Sequence, residues 1–326
     1  MTLGNQPRAA FAEEALALRA AGVDVPILAW LLAGSDDVEP LVRADVDVSV
    51  SAPWALDLAV AAAVRAGRPA RVHLKVDTGL GRAGATRADW PDLATAAAKA
   101  VADGTIEVTG IWSHLAYADA PAHPTIAAQV AAYADALEIA DRAGLRPRVR
   151  HLANSAATLS LPDTHYDVVR PGIAVYGLSP GPEVGTASDL GLRPAMTLRA
   201  DVALVKRVPA GQGVSYGHRY TTQRETTLAL VPLGYADGVP RHATNVGPVS
   251  IAGRRYCISG TVCMDQFVVD VGDDVVEVGD AAVLFGPGDE GEPTADDWAN
   301  AVGTINYEIV TRIGARVPRS YIGGTP

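Results

Sequence analysis

The feature that most limits what this chain can become is an alternation along its first half. Short β-rich runs at Pro26–Leu32, Asp45–Ser51, Arg71–Asp77, Val108–His114, Val149–Ser155 and Asp167–Ile173 are separated by Ala-rich amphipathic stretches such as Pro53–Ala66, Trp90–Ala102 and Pro124–Ala143. Gly22, Gly67, Gly104 and Gly144 close several helical stretches, as a residue tolerant of the left-handed conformation does at a helix C-terminus. Strands alternating with helices imply βαβ units and a parallel sheet.

Such a sheet is either doubly wound or closed into a (β/α)8 TIM-type barrel. In Arg71–Asp77 the apolar Val72, Leu74 and Val76 share one face, and His73, Lys75 and Asp77 share the other. A strand sandwiched between two helix layers is apolar on both faces, whereas charged residues near the C-terminal end of an inner face suit a barrel mouth. The barrel is therefore predicted, although a strand end meeting solvent also accounts for Asp77. About six strands are evident where eight are needed. The deficit lies at the N-terminus, where Met1–Ala10 does not resemble a buried strand and a helix is predicted at Phe11–Ala21.

Past about Gly185 the pattern turns to strands and turns, at Met196–Val208, Thr226–Leu233, Val249–Val271 and Ala281–Phe285, with one helix near Thr294–Val302. The expected organisation is an incomplete barrel over 1–188 and a mainly β domain over 189–326. The net charge of -10 argues against a nucleic-acid partner, which needs a basic face. Cys257 and Cys263 have neither the spacing nor the companions of a disulfide framework or a zinc site, so no metal is expected. The start has no signal-peptide pattern, and the longest apolar stretch, Val25 to Gly34, is too short to span a bilayer. These features place the chain by default in the cytoplasm. Its only lysines are Lys75, Lys99 and Lys206.

Eight segments occur in order: HLKVDTGLGRAG (73–84), GIWSHLAYAD (110–119), HLANSAATL (151–159), VRPGIAVYG (169–177), VSYG (214–217), GYADG (234–238), VCMDQ (262–266) and INYE (305–308). Each is weak alone. Together, each at a strand end or loop, they resemble the alanine racemase family from about residue 11 to the RVPR near the C-terminus. The resemblance implies pyridoxal 5'-phosphate as cofactor, interconversion of L- and D-alanine by two-base proton transfer, D-alanine supply for peptidoglycan, and a homodimer with shared active sites. Pyridoxal phosphate acidifies the α-proton of an amino acid by drawing electrons into its ring.

Tyr216 matches the family's catalytic tyrosine. A phenol has an unperturbed pKa of about 10, and the resemblance gives it hydrogen-bonding help from His114 and Arg170. A lone histidine is more often a satisfied core residue, but a strand's C-terminal end inside a matched motif reverses that order for His114. Arg170 matches the residue facing the pyridine nitrogen; an arginine stays protonated and so keeps that nitrogen unprotonated. Ser155, the N–H groups of Gly172 and Ile173, and the Tyr307 hydroxyl match the phosphate cradle, where barrel enzymes commonly bind phosphate; Asn154–Ser155 also reads as a helix cap. Arg82 matches the clamp on the substrate carboxylate. Lys75 matches a lysine the family often carboxylates to orient that arginine, with an unmodified lysine paired to Asp77 as the alternative. Met264 and Asp265, with Tyr216, match residues given to the partner subunit's site. Tyr235 and Arg241 match the entry corridor, though Tyr235 also reads as a turn residue.

Family members begin with a strand bearing the cofactor lysine and, shortly after, a tyrosine that contacts the phosphate. Nothing in this sequence matches that strand, and Lys75, Lys99 and Lys206 are poor substitutes. By the barrel's spacing, roughly two βα units of 50 to 60 residues are unmatched. The expectation follows that the chain alone is poorly soluble or partly unfolded, with open sheet edges. Two alternatives stay open: a non-catalytic relative that binds cofactor or pairs with an intact subunit, and a racemase of serine or another small amino acid.

Overall fold

The computed structural model of the chain describes residues 8–323; the expectation for Met1–Pro7 lies outside the described residues. The chain divides into two compact units, one running to Ala174 and including Ser179–Thr186, the other comprising Val175–Leu178 and the residues from Ala187 onward.

The first unit alternates β1 (Arg8–Ala9), α1 (Ala12–Ala20), β2 (Ile27–Ala29), α2 (Glu39–Arg43), β3 (Val46–Val50), α3 (Pro53–Ala66), β4 (Ala70–Lys75), α4 (Trp90–Ala102), β5 (Ile106–Trp112), α5 (Thr125–Arg142), β6 (Val149–His151) and α6 (Ser155–Ser160). The six strands are parallel and lie in the order β1-β2-β3-β4-β5-β6. A doubly wound sheet reverses its order at a switch point; this one never does, so it winds one way as a (β/α) barrel does. It is also concave. His73 on β4 meets His151 on β6 at 2.8 Å, and Trp112 on β5 donates its indole N–H to Ser49 on β3 at 3.0 Å. Each pair comes from strands two apart, about 9–10 Å in a flat sheet, and only inward curvature lets such side chains touch.

β-Branched residues build the strands and alanines the helix faces against them. Val46, Val48, Val50, Val72 and Leu74 are buried beside Ala55, Ala59 and Ala62 of α3 and Ala94 and Ala97 of α4. Alanine has the best helix propensity and little bulk, so these helices lie close to the sheet. On β4 the inner face carries His73 and Lys75, each only 3% exposed; Lys75 lies inside the unit and is not a strand end meeting solvent.

Two strand expectations change. Arg8–Ala9 forms a short strand beside β2, in a stretch too polar to be read as one. Asp167–Ile173 is not a strand. It runs parallel to β6 with one isolated bridge, Asn154 to Arg170, anchored by the N–H groups of Asp167 and Arg170 on the carbonyls of Arg150 and Ala153. Pro171 has no N–H to continue the ladder, and the chain turns into a 3-10 helix at Ile173–Tyr176.

The second unit holds β7 (Leu198–Asp201), β8 (Leu204–Val208), β9 (Gly213–Val214), β10 (Tyr220–Thr221), β11 (Thr226–Val231), β12 (Pro248–Ile251), β13 (Arg254–Cys257), β14 (Phe267–Gly272), β15 (Ala281–Phe285), α7 (Ala295–Val302) and α8 (Asn306–Thr311). Its sheets, β14-β11-β8, β13-β12-β15-β7 and β10-β9, are antiparallel. The run Val249–Val271 is three strands: Ala252 and Gly253 both take positive φ (49° and 75°) and close a two-residue hairpin between β12 and β13, and residues 258–266 separate β13 from β14. The Thr294–Asp297 capping box starts α7.

Candidate active site

The chemistry-bearing residues of the first unit gather at the C-terminal ends of its strands. Lys75 ends β4, Ser113 and His114 follow β5, and Asn154 and Ser155 follow β6. Arg170 sits at the bridge beside Asn154. Its Nη2 lies 2.7 Å from the Ser113 carbonyl, 2.8 Å from the Leu152 carbonyl and 3.2 Å from His114 Nδ1, and its Nη1 lies 3.1 Å from His151 Nδ1. The guanidinium is thus held across the ends of β5 and β6.

Burial, aided by the charges of Arg170, Arg82 and Lys75, pushes the His114 pKa down to about 3. His114 is therefore neutral at physiological pH. With Nδ1 facing a donor-only arginine, its proton resides on Nε2. The buried Gln129 pins this segment, donating to the His114 carbonyl at 3.1 Å and accepting from the Ala116 N–H at 2.8 Å.

Lys75 lies among the same cations. Desolvation first, then the charges of Arg82 and Arg170, lower its pKa to about 8, against a smaller opposing pull from Asp77. Its ammonium lies 4.1 Å from the centre of the Trp112 ring, and the Arg170 guanidinium lies 5.0 Å from that ring. Asp77 is not its ion-pair partner among the described residues; that carboxylate accepts from the N–H groups of Gly79, Leu80 and Gly81 at 2.9–3.0 Å. This cap folds the following loop back along β4, where Asp77 N–H donates to the Ala85 carbonyl at 2.8 Å and Ala85 N–H to the Lys75 carbonyl at 2.9 Å. Gly84 is required there: its φ is +124°, and a Cβ would lie 2.6 Å from the backbone nitrogen of Asp77. Arg82 is carried, exposed, on this loop.

The two readings of Asn154–Ser155 separate. Asn154 caps α6, accepting from the Ala157 N–H at 3.1 Å. The Ser155 hydroxyl oxygen instead accepts from the Gly172 N–H at 2.7 Å and the Ala174 N–H at 3.4 Å. Backbone donors thus converge on an oxygen at the mouth of a cationic site, a donor set suited to a phosphate. Ile173 is buried beside them.

In the second unit three of the matched motifs, VSYG, GYADG and VCMDQ, form one loop cluster. Tyr216 is 74% exposed, yet its backbone is tightly fixed. Ser215 takes φ 60°, Gly217 71° and His218 43°; the Ser215 hydroxyl donates to the Thr261 carbonyl and the Thr261 hydroxyl to the Tyr216 carbonyl, each at 2.7 Å. Non-glycine residues at positive φ cost about 1–3 kcal/mol each and concentrate at functional sites. Tyr235 N–H donates to the Cys263 carbonyl at 3.1 Å and Ala236 N–H to the Met264 carbonyl at 2.9 Å, joining GYADG to VCMDQ. Met264 is exposed, and Asp265 is paired to Arg316 at 2.7 Å. Arg241 lines a cleft of about 550 Å³ with Arg219, His242, Thr244 and Asn245. Tyr307 is half-buried on α8. Lys99 is exposed on α4 and Lys206 exposed on β8.

Sequence reasoning passed over Trp112, Gln129, Tyr133, Asp47, His73 and His151. The two histidines each open a matched motif; their inward position on alternate strand residues was the available signal.

A one-way-wound parallel barrel with cations, a neutral histidine and an oxygen-directed donor set at its strand ends is the arrangement of a barrel enzyme that takes an anionic group at its mouth. Residues 8–180 match the model of "Alanine racemase, N-terminal domain" and 195–321 that of "Alanine racemase, C-terminal domain". An alanine racemase of Frankia casuarinae is 67% identical over 313 residues, 96% of this chain and 82% of that protein. The crystal structure of alanine racemase from D-cycloserine producing Streptomyces lavendulae is 58% identical, with a TM-score of 0.96, over 98% of this chain and 83% of that one. The alanine racemase of Bacillus anthracis with bound L-Ala-P is 34% identical, with a TM-score of 0.88, over 97% and 81%. The chain belongs to the alanine racemase family of pyridoxal-phosphate-dependent isomerases, and neither alternative raised by its sequence is favoured. No helix among the described residues is long and apolar enough to cross a membrane.

Proposed function

We propose that this chain racemises alanine with pyridoxal 5'-phosphate in the cytoplasm, supplying D-alanine for peptidoglycan. The observation that carries this reading is the cluster of Lys75, Arg82 and Arg170 around a neutral His114, beside backbone donors converging on Ser155. When bound, the cofactor withdraws electrons from the α-carbon and so acidifies its proton. Ser155 and the N–H groups of Gly172 and Ile173 in the 1–188 domain, with the Tyr307 hydroxyl, hold its phosphate. Arg170 would face its ring nitrogen as a permanently protonated donor, which would leave that nitrogen unprotonated and the ring a more moderate electron sink. Arg82 clamps the substrate carboxylate, oriented by a carboxylated Lys75. Tyr216 is one proton-transferring base, its phenolate favoured by the Nε2–H of His114.

The 189–326 domain contributes Tyr216, Met264 and Asp265 to the partner subunit's site, and Tyr235 and Arg241 line the approach. The exposure of Tyr216 and Met264 on tightly held loops supports a homodimer with shared sites. The test is mixing. Tyr216→Phe and Arg82→Gln each abolish racemisation alone. Unfolded and refolded together in equal amounts, they regain about a quarter of wild-type activity, because half the dimers hold one intact site of two. Zero recovery from a confirmed mixed dimer refutes the shared site; activity in Tyr216→Phe alone refutes its catalytic role.

A further inference from the structure

Inside the first unit a line of hydrogen bonds runs away from Arg170 and ends on a buried carboxylate. Arg170 Nη1 meets His151 Nδ1 at 3.1 Å, His151 Nε2 meets His73 Nδ1 at 2.8 Å, and His73 Nε2 meets Asp47 Oδ2 at 3.0 Å. Asp47, His73 and His151 are 4%, 3% and 1% exposed. The Thr109 hydroxyl lies 2.9 Å from Asp47 Oδ2, and Arg71 Nη2 forms an ion pair with Asp47 Oδ1 at 2.7 Å. Space for the central ring is built in: a Cβ on Gly110 would lie 2.3 Å from His73 Nδ1.

The two ends dictate every proton between them. Arginine only donates, so His151 Nδ1 must accept and its proton sits on Nε2. That N–H donates to His73 Nδ1, which puts the His73 proton on Nε2, facing a carboxylate that only accepts. One further proton on either ring would set two donors against each other. We propose that Asp47, His73 and His151 are positioning residues for Arg170, a one-directional relay whose carboxylate end fixes both imidazole tautomers and thereby the orientation of the guanidinium. The proposal rests on the reading that Arg170 faces the cofactor ring.

Asp47→Asn tests the direction of the relay. Arg71 demands an acceptor, so the amide oxygen turns to it and the NH2 group faces His73 Nε2. Both tautomers then flip to Nδ1–H, and His151 opposes Arg170 donor to donor. In Asp47→Asn/Arg71→Met the amide is free to turn its oxygen back, and the tautomers return. The readout is ¹⁵N NMR of the full chain labelled only at its seven histidines, without cofactor, alongside kcat and KM of the loaded enzyme.

The wild type is expected to give neutral Nε2–H forms at both His73 and His151. Asp47→Asn flips both and lowers kcat about 10- to 100-fold with KM for alanine little changed, the loss usual on removing an orienting partner; the double variant recovers both. Nδ1–H or imidazolium at either ring in the wild type overturns the relay even if the variants fail to fold. A flip that leaves kcat at the wild-type value overturns the positioning role. Arg170→Lys separates the two readings: unchanged kcat there removes Arg170 from the site, while the histidine spectra still report on the relay.

Discussion

Lys75 should carboxylate because the site raises the fraction of its neutral amine and then rewards a negative charge. An ordinary lysine with a pKa of 10.5 is neutral about once in 3,000 molecules at pH 7; lowered to about 8, Lys75 is neutral in about one of ten, roughly a 300-fold gain. Only the neutral amine attacks CO2: its nitrogen bonds to the carbon, the proton leaves to solvent, and an anionic carbamate forms. The charges of Arg82 and Arg170, which help to depress the ammonium's pKa, then attract the product. The perturbation is Arg82→Gln, which removes the larger of the two arginine effects and a partner of the carbamate. The assay supplies ¹³C-bicarbonate, follows the carbamate carbon by NMR and locates it by trapping and peptide mass. Wild-type protein is expected to carry the label at Lys75, with a rate that, at fixed dissolved CO2, climbs about tenfold per pH unit and levels near pH 8. Arg82→Gln should lower occupancy several-fold and shift the levelling upward. A rate in the wild type that keeps climbing toward pH 10, or equal occupancy in Arg82→Gln, refutes the reasoning.

Other outcomes follow from individual contacts. Tyr133 is fully buried, donating to the Ile111 carbonyl at 2.6 Å and accepting from the His151 N–H at 3.2 Å; Tyr133→Phe strands both groups and should destabilise by about 1–3 kcal/mol in chemical denaturation, while an unchanged midpoint counts against this bridge. Gly84→Ala sets a Cβ against the Asp77 backbone, so a loss of at least 1–3 kcal/mol and a raised KM for alanine are expected, with normal KM excluding a role for this loop in holding Arg82. His114 titrates near 3 when folded and 6.5 when unfolded. The unfolded chain therefore binds the extra proton between those values, and stability declines as pH falls from about 6.5 toward 3. His114→Asn should flatten that part of the stability-against-pH curve; an identical slope refutes the assignment.

The alternation of strands and helices was legible because burial writes itself in period two and in glycine stops, and the polar face of Arg71–Asp77 correctly pointed to a barrel. Asp167–Ile173 misled because it has strand composition but only one bridge: pairing depends on N–H groups, and Pro171 removes one just where the ladder would extend. The hairpin at Ala252–Gly253 was hidden because alanine is not a residue one expects at positive φ. Among site residues, those within ordered motifs were readable by resemblance. His73 and His151 open matched motifs and Asp47 lies outside them, but the joint role of the three was not readable, since it depends on curvature that brings alternate strands together, a property of the curled sheet and not of any one strand.

Charge explains why these readings belong together. Lys75, Arg82 and Arg170 converge where His114 is held neutral, and the relay argument leaves His73 and His151 neutral as well. Asp77 opposes these cations only in part while capping its own loop, and Asp47 lies at the far end of the relay, paired with Arg71. The described residues thus leave the site with surplus positive charge, strongest in effect between Lys75 and Arg170, where burial weakens solvent screening. A ligand that relieves this must bring anionic groups. A phosphate at the Ser155 donors and an amino-acid carboxylate at Arg82 do so, and a carbamate on Lys75 converts one of the repelling cations into a counter-charge. On this argument the bound and carboxylated states should be more stable than the bare chain, and inorganic phosphate alone should raise the thermal midpoint. A midpoint indifferent to phosphate at a fixed ionic strength would mean the cations are satisfied in some other way.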